Sequence, residues 1–114
     1  MKECIFCKII QHDIPSTVVF ENDNLIGFND INPVAPHHVL FVPKNHIEKM
    51  DDLTPINHSI IGELVFHAKE YAKKLNLIEN GYRLVFNNGK DAGQAVFHIH
   101  LHLIGGRVMA WPPG

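Results

Sequence analysis

The sequence predicts a single α+β domain built on an antiparallel sheet of five strands. The first observation is its length, because 114 residues suit one domain and can bury a core without disulfides. The second is a set of short strand-like segments that mostly follow one another along the chain, separated by turn-forming clusters. The third is one long stretch with apolar residues spaced three and four apart, typical of an amphipathic helix. Strands in succession with one inserted helix favour antiparallel pairing.

The N-terminal half is predicted to contain a short helix and three strands. The helix covers residues 4–11, where apolar residues form a stripe. Two strands, 17–21 and 25–30, are joined by the turn-forming residues 21–24. After a loop stiffened by two prolines, His38–Pro43 form the third strand.

The C-terminal half supplies the long helix and two more strands. Thr54 can cap the helix with Pro55 at its first position, and the apolar spacing continues to about Leu75. Strands are predicted at 82–87 and 95–104, on either side of a loop that contains two glycines.

Composition narrows the class of function and of partner. The formal charge of −2 argues against a nucleic acid or a membrane surface held by bulk charge. No apolar run approaches the ~20 residues of a membrane span, and the first residues show no signal peptide, so a cytoplasmic protein is expected. Histidine is the unusual component, with nine residues, and it suits metal binding, proton transfer and nucleophilic attack.

Three histidines alternate with apolar residues near the C-terminus. His98, His100 and His102 would share one face of a strand, with the apolar residues facing the long helix. One interpretation is a catalytic zinc held by all three. The other is attack by a neutral imidazole on phosphorus while its neighbours move protons, and the nucleophile's second nitrogen should then donate to a carbonyl. Adjacent positions on one strand are widely spaced for three ligands of one ion, which favours the second.

Five segments resemble the Hint branch of the histidine triad family, and the resemblance covers nearly the whole chain. HIHLHLI fits the His-x-His-x-His motif, and the ending WPPG is similar to the Hint ending. The other segments are CIFCKII, DINPVAPHHVLFVPKNH and GYRLVFNNGKDAGQAVFHIHLHLIGGR. The resemblance implies a HIT-like fold whose sheet extends across a homodimer. It also implies hydrolysis of nucleoside 5′-phosphoramidates, with adenosine preferred, through a covalent nucleotidyl-histidine that releases AMP and an amine.

The resemblance assigns roles to individual residues. His100 matches the nucleophile, and His102 matches the residue that contacts the phosphate and helps the departing amine. His38 matches a fourth histidine that supports the proton relay, and His98 is the first histidine of the motif on the active face. Further residues match positions that bind the purine nucleotide: Asp30 and Ile31 at the ribose and base edge, Phe6, Ile9 and Phe28 around the base, and Asn87, Gly93, Gln94 and Ala95 near the phosphate.

One position departs from the family pattern. Ala95 stands where relatives often carry Ser, whose hydroxyl donates to the phosphate or the leaving group. The substitution removes one donor but keeps the backbone N–H, so a slower or less selective enzyme is expected.

The two cysteines leave three interpretations open. Cys4-x-x-Cys7 is short of a full zinc signature, a redox motif would need a preceding strand, and both residues could simply be small apolar side chains. The resemblance adds His46 and His98 as the other ligands of a structural zinc. Such a site would be closed, and no metal is required for the catalysis.

Other functions remain open alongside the phosphoramidase. They are a dinucleoside polyphosphate hydrolase, a nucleotidyl transferase, a nucleotide-binding regulator with incidental hydrolysis, and a zinc hydrolase. The ending WPPG argues against the first, and His102, where transferase relatives often have Gln, argues against the second.

Overall fold

The fold is a five-stranded antiparallel sheet with a helix on each face. A computed structural model describes residues 3–114. The strands lie in the order β1-β2-β3-β5-β4, and every neighbouring pair is antiparallel, which confirms the predicted fold class. No helix in the described range is long and apolar enough to cross a membrane. In chain order the elements are α1 (Ile5–Ile10), β1 (Val18–Glu21), β2 (Leu25–Asn29), β3 (His37–Pro43), a 3-10 turn (Met50–Asp52), α2 (Ile60–Lys74), β4 (Tyr82–Val85) and β5 (Leu101–Gly105).

The central strand β3 is buried on both faces, which explains its nearly continuous apolar sequence. Val39 and Phe41 join the core beneath α2, while Leu40 and Val42 join a second apolar cluster with α1. Because successive side chains alternate between faces, His38 lies on the α1 side of the sheet. The short helix covers only part of that face, so polar side chains have room beside it.

The long helix begins later than predicted, at Ile60 instead of Pro55. The Thr54 hydroxyl accepts hydrogen bonds from the N–H groups of Ile56 and Asn57, and the Asn57 side chain accepts from the N–H of Thr54. These bonds satisfy the backbone in a turn, which is how Thr and Asn compete with helix formation. Ile56, which falls within the predicted helix, is 93% exposed.

The last strand also begins later than predicted, at Leu101 instead of Ala95. The final pair between this strand and β3 is Phe41 with Leu101, so the residues before Leu101 leave the ladder although β3 continues to Pro43. The N–H of Ile99 instead donates to the Ile47 carbonyl at 2.7 Å. At Ile99 the chain is therefore bonded to the loop that follows β3 and not to a strand.

Candidate functional site

Three neighbouring strands bring an acid and two histidines together on the α1 side of the sheet. Leu40 of β3 pairs with His102 of β5, and the Asp30 N–H donates to the His38 carbonyl just beyond the end of β2. His38 Nε2 lies 2.9 Å from His102 Nδ1 and 3.4 Å from Asp30 Oδ2. Side chains from three separate segments thus form one continuous polar cluster.

The backbone of Val34 determines where the protons of this cluster lie. Its N–H donates to His38 Nδ1 at 3.2 Å, so the proton of the neutral His38 ring is on Nε2. That Nε2–H donates to His102 Nδ1, which places the proton of His102 on its own Nε2. Burial lowers the pKa of His38, and burial with the neighbouring His100 lowers that of His102 to about 4. Both rings are therefore neutral near pH 7.

The Nε2–H of His102 is a hydrogen-bond donor without an acceptor in the described chain. The Nε2 atom is buried, and it has no hydrogen-bond partner among residues 3–114. Buried polar atoms in native proteins nearly always find a partner, and an anionic oxygen would satisfy this one.

His100 is held as a neutral ring with one free nitrogen. Its Nδ1–H donates to the His98 carbonyl at 2.8 Å, which is the bond expected of a nucleophilic imidazole. The lone pair is then on Nε2. The ring is buried beside Phe6, with a centroid separation of 5.0 Å, and burial lowers its pKa. Its centroid also lies 5.0 Å from that of His102.

The carbonyl and the ring of His98 contact different groups of residues. Its carbonyl orients His100, but its ring lies beside the two cysteines and His46. Within the described chain, the residues that could hold a metal fall into two groups, and His100 belongs to neither. The interpretation of a catalytic zinc held by His98, His100 and His102 is therefore not supported.

The group of Cys4, Cys7, His46 and His98 fits a tetrahedral zinc ion. The Nδ1 atoms of the two histidines are 3.1 Å apart, and three of the sulfur-to-nitrogen distances are 3.3 to 3.6 Å. Zinc bonds of ordinary length at tetrahedral angles require edges of about 3.3–3.8 Å. Burial and the adjacent Cys4 thiol raise the pKa of Cys7 to about 11, an environment in which a nearby cation would favour the thiolate.

Proton positions distinguish the two candidate metal groups. His98 Nε2–H donates to the Pro43 carbonyl at 2.7 Å, so Nδ1 offers a lone pair to a metal, as in the usual arrangement of zinc-bound histidine. His38 differs, because a metal on Nε2 would require the proton on Nδ1, where the Val34 N–H already donates. The cysteine group therefore suits a metal, and the Asp30 group suits proton transfer.

Most side chains expected around the base are packed in the apolar core. Phe6, Ile9 and Phe28 are each at most 7% exposed and lie in the cluster that also covers the His98 and His100 rings. Ile31 is 83% exposed. The half-buried Asp30 is also bonded, through Oδ1, to the N–H of Asn32.

The loop expected to face the phosphate is organised by Gln94. Its buried side chain accepts from the N–H of Gly89 and donates to the carbonyls of Glu48 and Val96, so its amide supports the loop from within. Asn87 is half-buried after the end of β4, and Gly93 is exposed with φ +84°. Ala95 is exposed and lines a cleft of about 620 Å³ together with His46 and Phe97.

Sequence reasoning missed Val34, because its contribution comes from the backbone. Only the flanking Pro33 and Pro36 indicated that the loop has a fixed path. The same is true of the His98 carbonyl, which a pattern of side chains cannot reveal.

These features define a class: a small α+β protein with its histidines gathered beside one helix on an antiparallel sheet. Comparison with known families agrees, because the family model described as HIT domain matches residues 11–109. The chain belongs to the HIT domain family.

Individual relatives share both sequence and structure. The chain is 48% identical over 116 residues to the adenylylsulfatase HINT1 of Arabidopsis thaliana, covering 96% of this chain and 76% of the relative. It is also 48% identical over 116 residues to a 14 kDa zinc-binding protein of Zea mays, covering 96% of this chain and 87% of the relative. The crystal structure of a HIT family hydrolase from Legionella pneumophila superposes with a TM-score of 0.95 at 50% identity, covering 98% of this chain and 100% of that one. The resemblance to the Hint branch is confirmed.

Proposed function

We propose that the protein hydrolyses nucleoside 5′-phosphoramidates, with adenosine preferred, and releases AMP and an amine. The observation that carries the proposal is the His100 ring, whose Nδ1–H is bonded to the His98 carbonyl. A neutral imidazole fixed in this way presents the Nε2 lone pair needed for nucleophilic attack. The lowered pKa of His100, caused mainly by burial, keeps that lone pair available near neutral pH.

The proposed reaction has two halves. In the first, His100 Nε2 attacks the α-phosphorus, the P–N bond to the amine breaks, and the amine takes a proton from His102. In the second, water attacks phosphorus, the bond to Nε2 breaks, and the proton of the water returns to His102. The buried His102 Nε2–H supports this role, because it lies beside His100 and can meet an oxygen or nitrogen on phosphorus.

The proposed reaction needs hydrogen-bond donors at the phosphate, and histidines can supply them without a basic surface. Phosphoryl transfer needs stabilisation of charge on the phosphorus oxygens, and the buried Nε2–H of neutral His102 can donate to one of them. Asp30 lies next to His38 and is proposed to bind the ribose hydroxyls, with Ile31 at the base edge. The Arabidopsis relative is named an adenylylsulfatase, which supports an adenylyl group as the constant part of the substrate.

A structural zinc is proposed at Cys4, Cys7, His46 and His98. The distances between the ligand atoms and the Pro43 carbonyl behind His98 support it, and the Zea mays relative is named a zinc-binding protein. The ion would tie α1 to the sheet. All four positions are taken by protein atoms, so it would leave none for substrate.

Turnover of an adenosine 5′-phosphoramidate tests the proposal. We expect His100→Ala to abolish turnover, and His100→Asn to bind AMP without turning substrate over. Turnover of either variant near the wild-type rate would remove His100 as nucleophile. A wild-type protein that binds AMP tightly but does not turn over would indicate a regulator, and a preference for dinucleoside polyphosphates would indicate the other hydrolase.

A further inference from the structure

We infer that Arg107 is a positioning residue that sets the direction of the His38–His102 hydrogen bond through the backbone of Val34. The inference rests on the proposed function, which gives this pair its role. Arg107 Nε donates to the Val34 carbonyl at 2.9 Å, and the Val34 N–H donates to His38 Nδ1 at 3.2 Å. The peptide groups on either side of one residue thus join a guanidinium to an imidazole.

A second contact holds the same loop. Gly106, next to Arg107, has φ +96°, and a Cβ there would lie 3.0 Å from Pro36 Cβ and 3.2 Å from His37 Cδ2. The turn that follows β5 therefore packs directly against the loop containing Val34. Close packing at Gly106 and the Arg107 hydrogen bond both restrain that loop, and with it the position of the Val34 N–H.

The direction of the donors depends on this N–H. While it donates to Nδ1, His38 carries its proton on Nε2, and His102 presents an N–H from its own Nε2. Without it, His38 can place its proton on Nδ1 and accept from His102 Nδ1. His102 would then present a lone pair in place of an N–H. That state cannot donate to a leaving nitrogen, so Arg107 selects the productive arrangement.

The kinetic test compares leaving groups that do and do not need a proton. Adenosine 5′-phosphoramidate releases an amine, whereas the p-nitrophenyl ester of AMP releases a stable anion. We expect Arg107→Gln to lower kcat about fivefold on the phosphoramidate, the change given by losing one ordinary hydrogen bond, and less than twofold on the ester. Gly106→Ala should give the same pattern. The matched control is Arg83→Gln, which removes the other arginine and its bond to the Ala110 carbonyl, and should change neither rate.

A second measurement reads the proton position without any turnover. Nitrogen-15 resonances of the His38 ring, assigned by their loss in His38→Gln, should show a pyridine-type Nδ1 in the wild type. In Arg107→Gln they should show a mixture of tautomers. Unchanged His38 resonances, or equal loss on both substrates, would overturn the inference. If the wild type cleaves neither substrate the proposed function fails, while the resonances still decide the role of Arg107.

Discussion

The hydrogen-bond partners of the ring nitrogens distinguish four histidines from one another: His38, His98, His100 and His102. The partner of one ring nitrogen determines what the other nitrogen can do. A carbonyl on Nδ1 leaves His100 with a nucleophilic Nε2, and an N–H on Nδ1 gives His38 a donor at Nε2. Backbone groups thus orient the rings of His38, His98 and His100, and the side chain of His38 orients that of His102.

The depressed pKa of His102 predicts how stability changes with pH. An unfolded histidine takes up a proton as the pH falls below about 6.5, whereas folded His102 does so only near 4. The unfolding free energy should therefore be level above pH 7 and fall between pH 6.5 and 4, by up to about 1.4 kcal/mol per pH unit for each such histidine.

Urea denaturation of His102→Gln at several pH values measures this contribution. The variant should decline less steeply than the wild type over that range. His58→Gln, which changes an exposed histidine, is the control and should follow the wild type. Parallel curves for His102→Gln and the wild type would show that His102 does not titrate as described.

At the scale of elements, close contact between β2 and β3 depends on one glycine. A Cβ on Gly27 would lie 2.6 Å from Cε2 of the fully buried Phe41 ring. We expect Gly27→Ala to lower the unfolding free energy by about 1–3 kcal/mol. Gly62→Ala is the matched control, because Gly62 lies in α2 with no neighbour within 4 Å of an added Cβ, and should raise stability by about 0.5–1 kcal/mol. Chemical denaturation of both variants checks the pair, and equal stabilities would contradict the close contact.

The attachment of α1 to the sheet is a second property of elements. Cys4 lies at the N-cap of the helix and Cys7 lies within it, while His46 and His98 come from loops beside β3 and β5. We expect elemental analysis after mild purification to find about one zinc per chain, and Cys7→Ser to lose it. Removing the metal should speed amide hydrogen exchange in α1 more than in α2. Less than about half an equivalent of zinc in the wild type would count against the site.

The sequence predicts which segments form helices and strands better than it predicts where each one begins. Apolar spacing is a local property, so it predicts α2 and the two-sided burial of β3. The start of α2 depends on mutual side-chain bonds between Thr54 and Asn57, which periodicity does not register. The path of residues 95–100 involves a hydrogen bond from Ile99 to the Ile47 carbonyl, a partner in another segment that a local pattern does not show.

For the site, too, the sequence predicts the pattern of side chains but not the backbone contacts. The alternation of His98, His100 and His102 predicts a shared face, and the ring of His98 departs from it because it lies beside the cysteines and bonds to Pro43. The resemblance to the Hint branch supplied the grouping of Asp30 and His38 with the motif. It did not supply Val34 or Arg107, whose contacts with the site pass through a backbone.

At the scale of the whole molecule, the two edges of the sheet differ. The outer strand β1 pairs irregularly with β2, with a register shift between Val18 and Phe20. The other edge, β4, is regular along its length. Irregular edges resist pairing with another chain, so β4 is the edge at which a second copy would extend the sheet.

We therefore expect a homodimer joined along β4. Light scattering during size-exclusion chromatography should give twice the 12.9 kDa mass of the chain. Hydrogen exchange of the outward-facing β4 amides should be slower in concentrated than in very dilute protein. A monomer at micromolar concentration would contradict the expectation.

His98 gives the molecule a mechanical coupling between two centres. Its ring belongs to the cysteine group and its carbonyl accepts from His100, so a backbone movement at His98 would displace both. Loss of the proposed zinc would then slow the proposed reaction without the ion having taken part in it. Inhibition by a chelator would thus report on the orientation of the His100 ring. The rate at which activity returns with zinc would measure how quickly the ring and the carbonyl of His98 regain their positions.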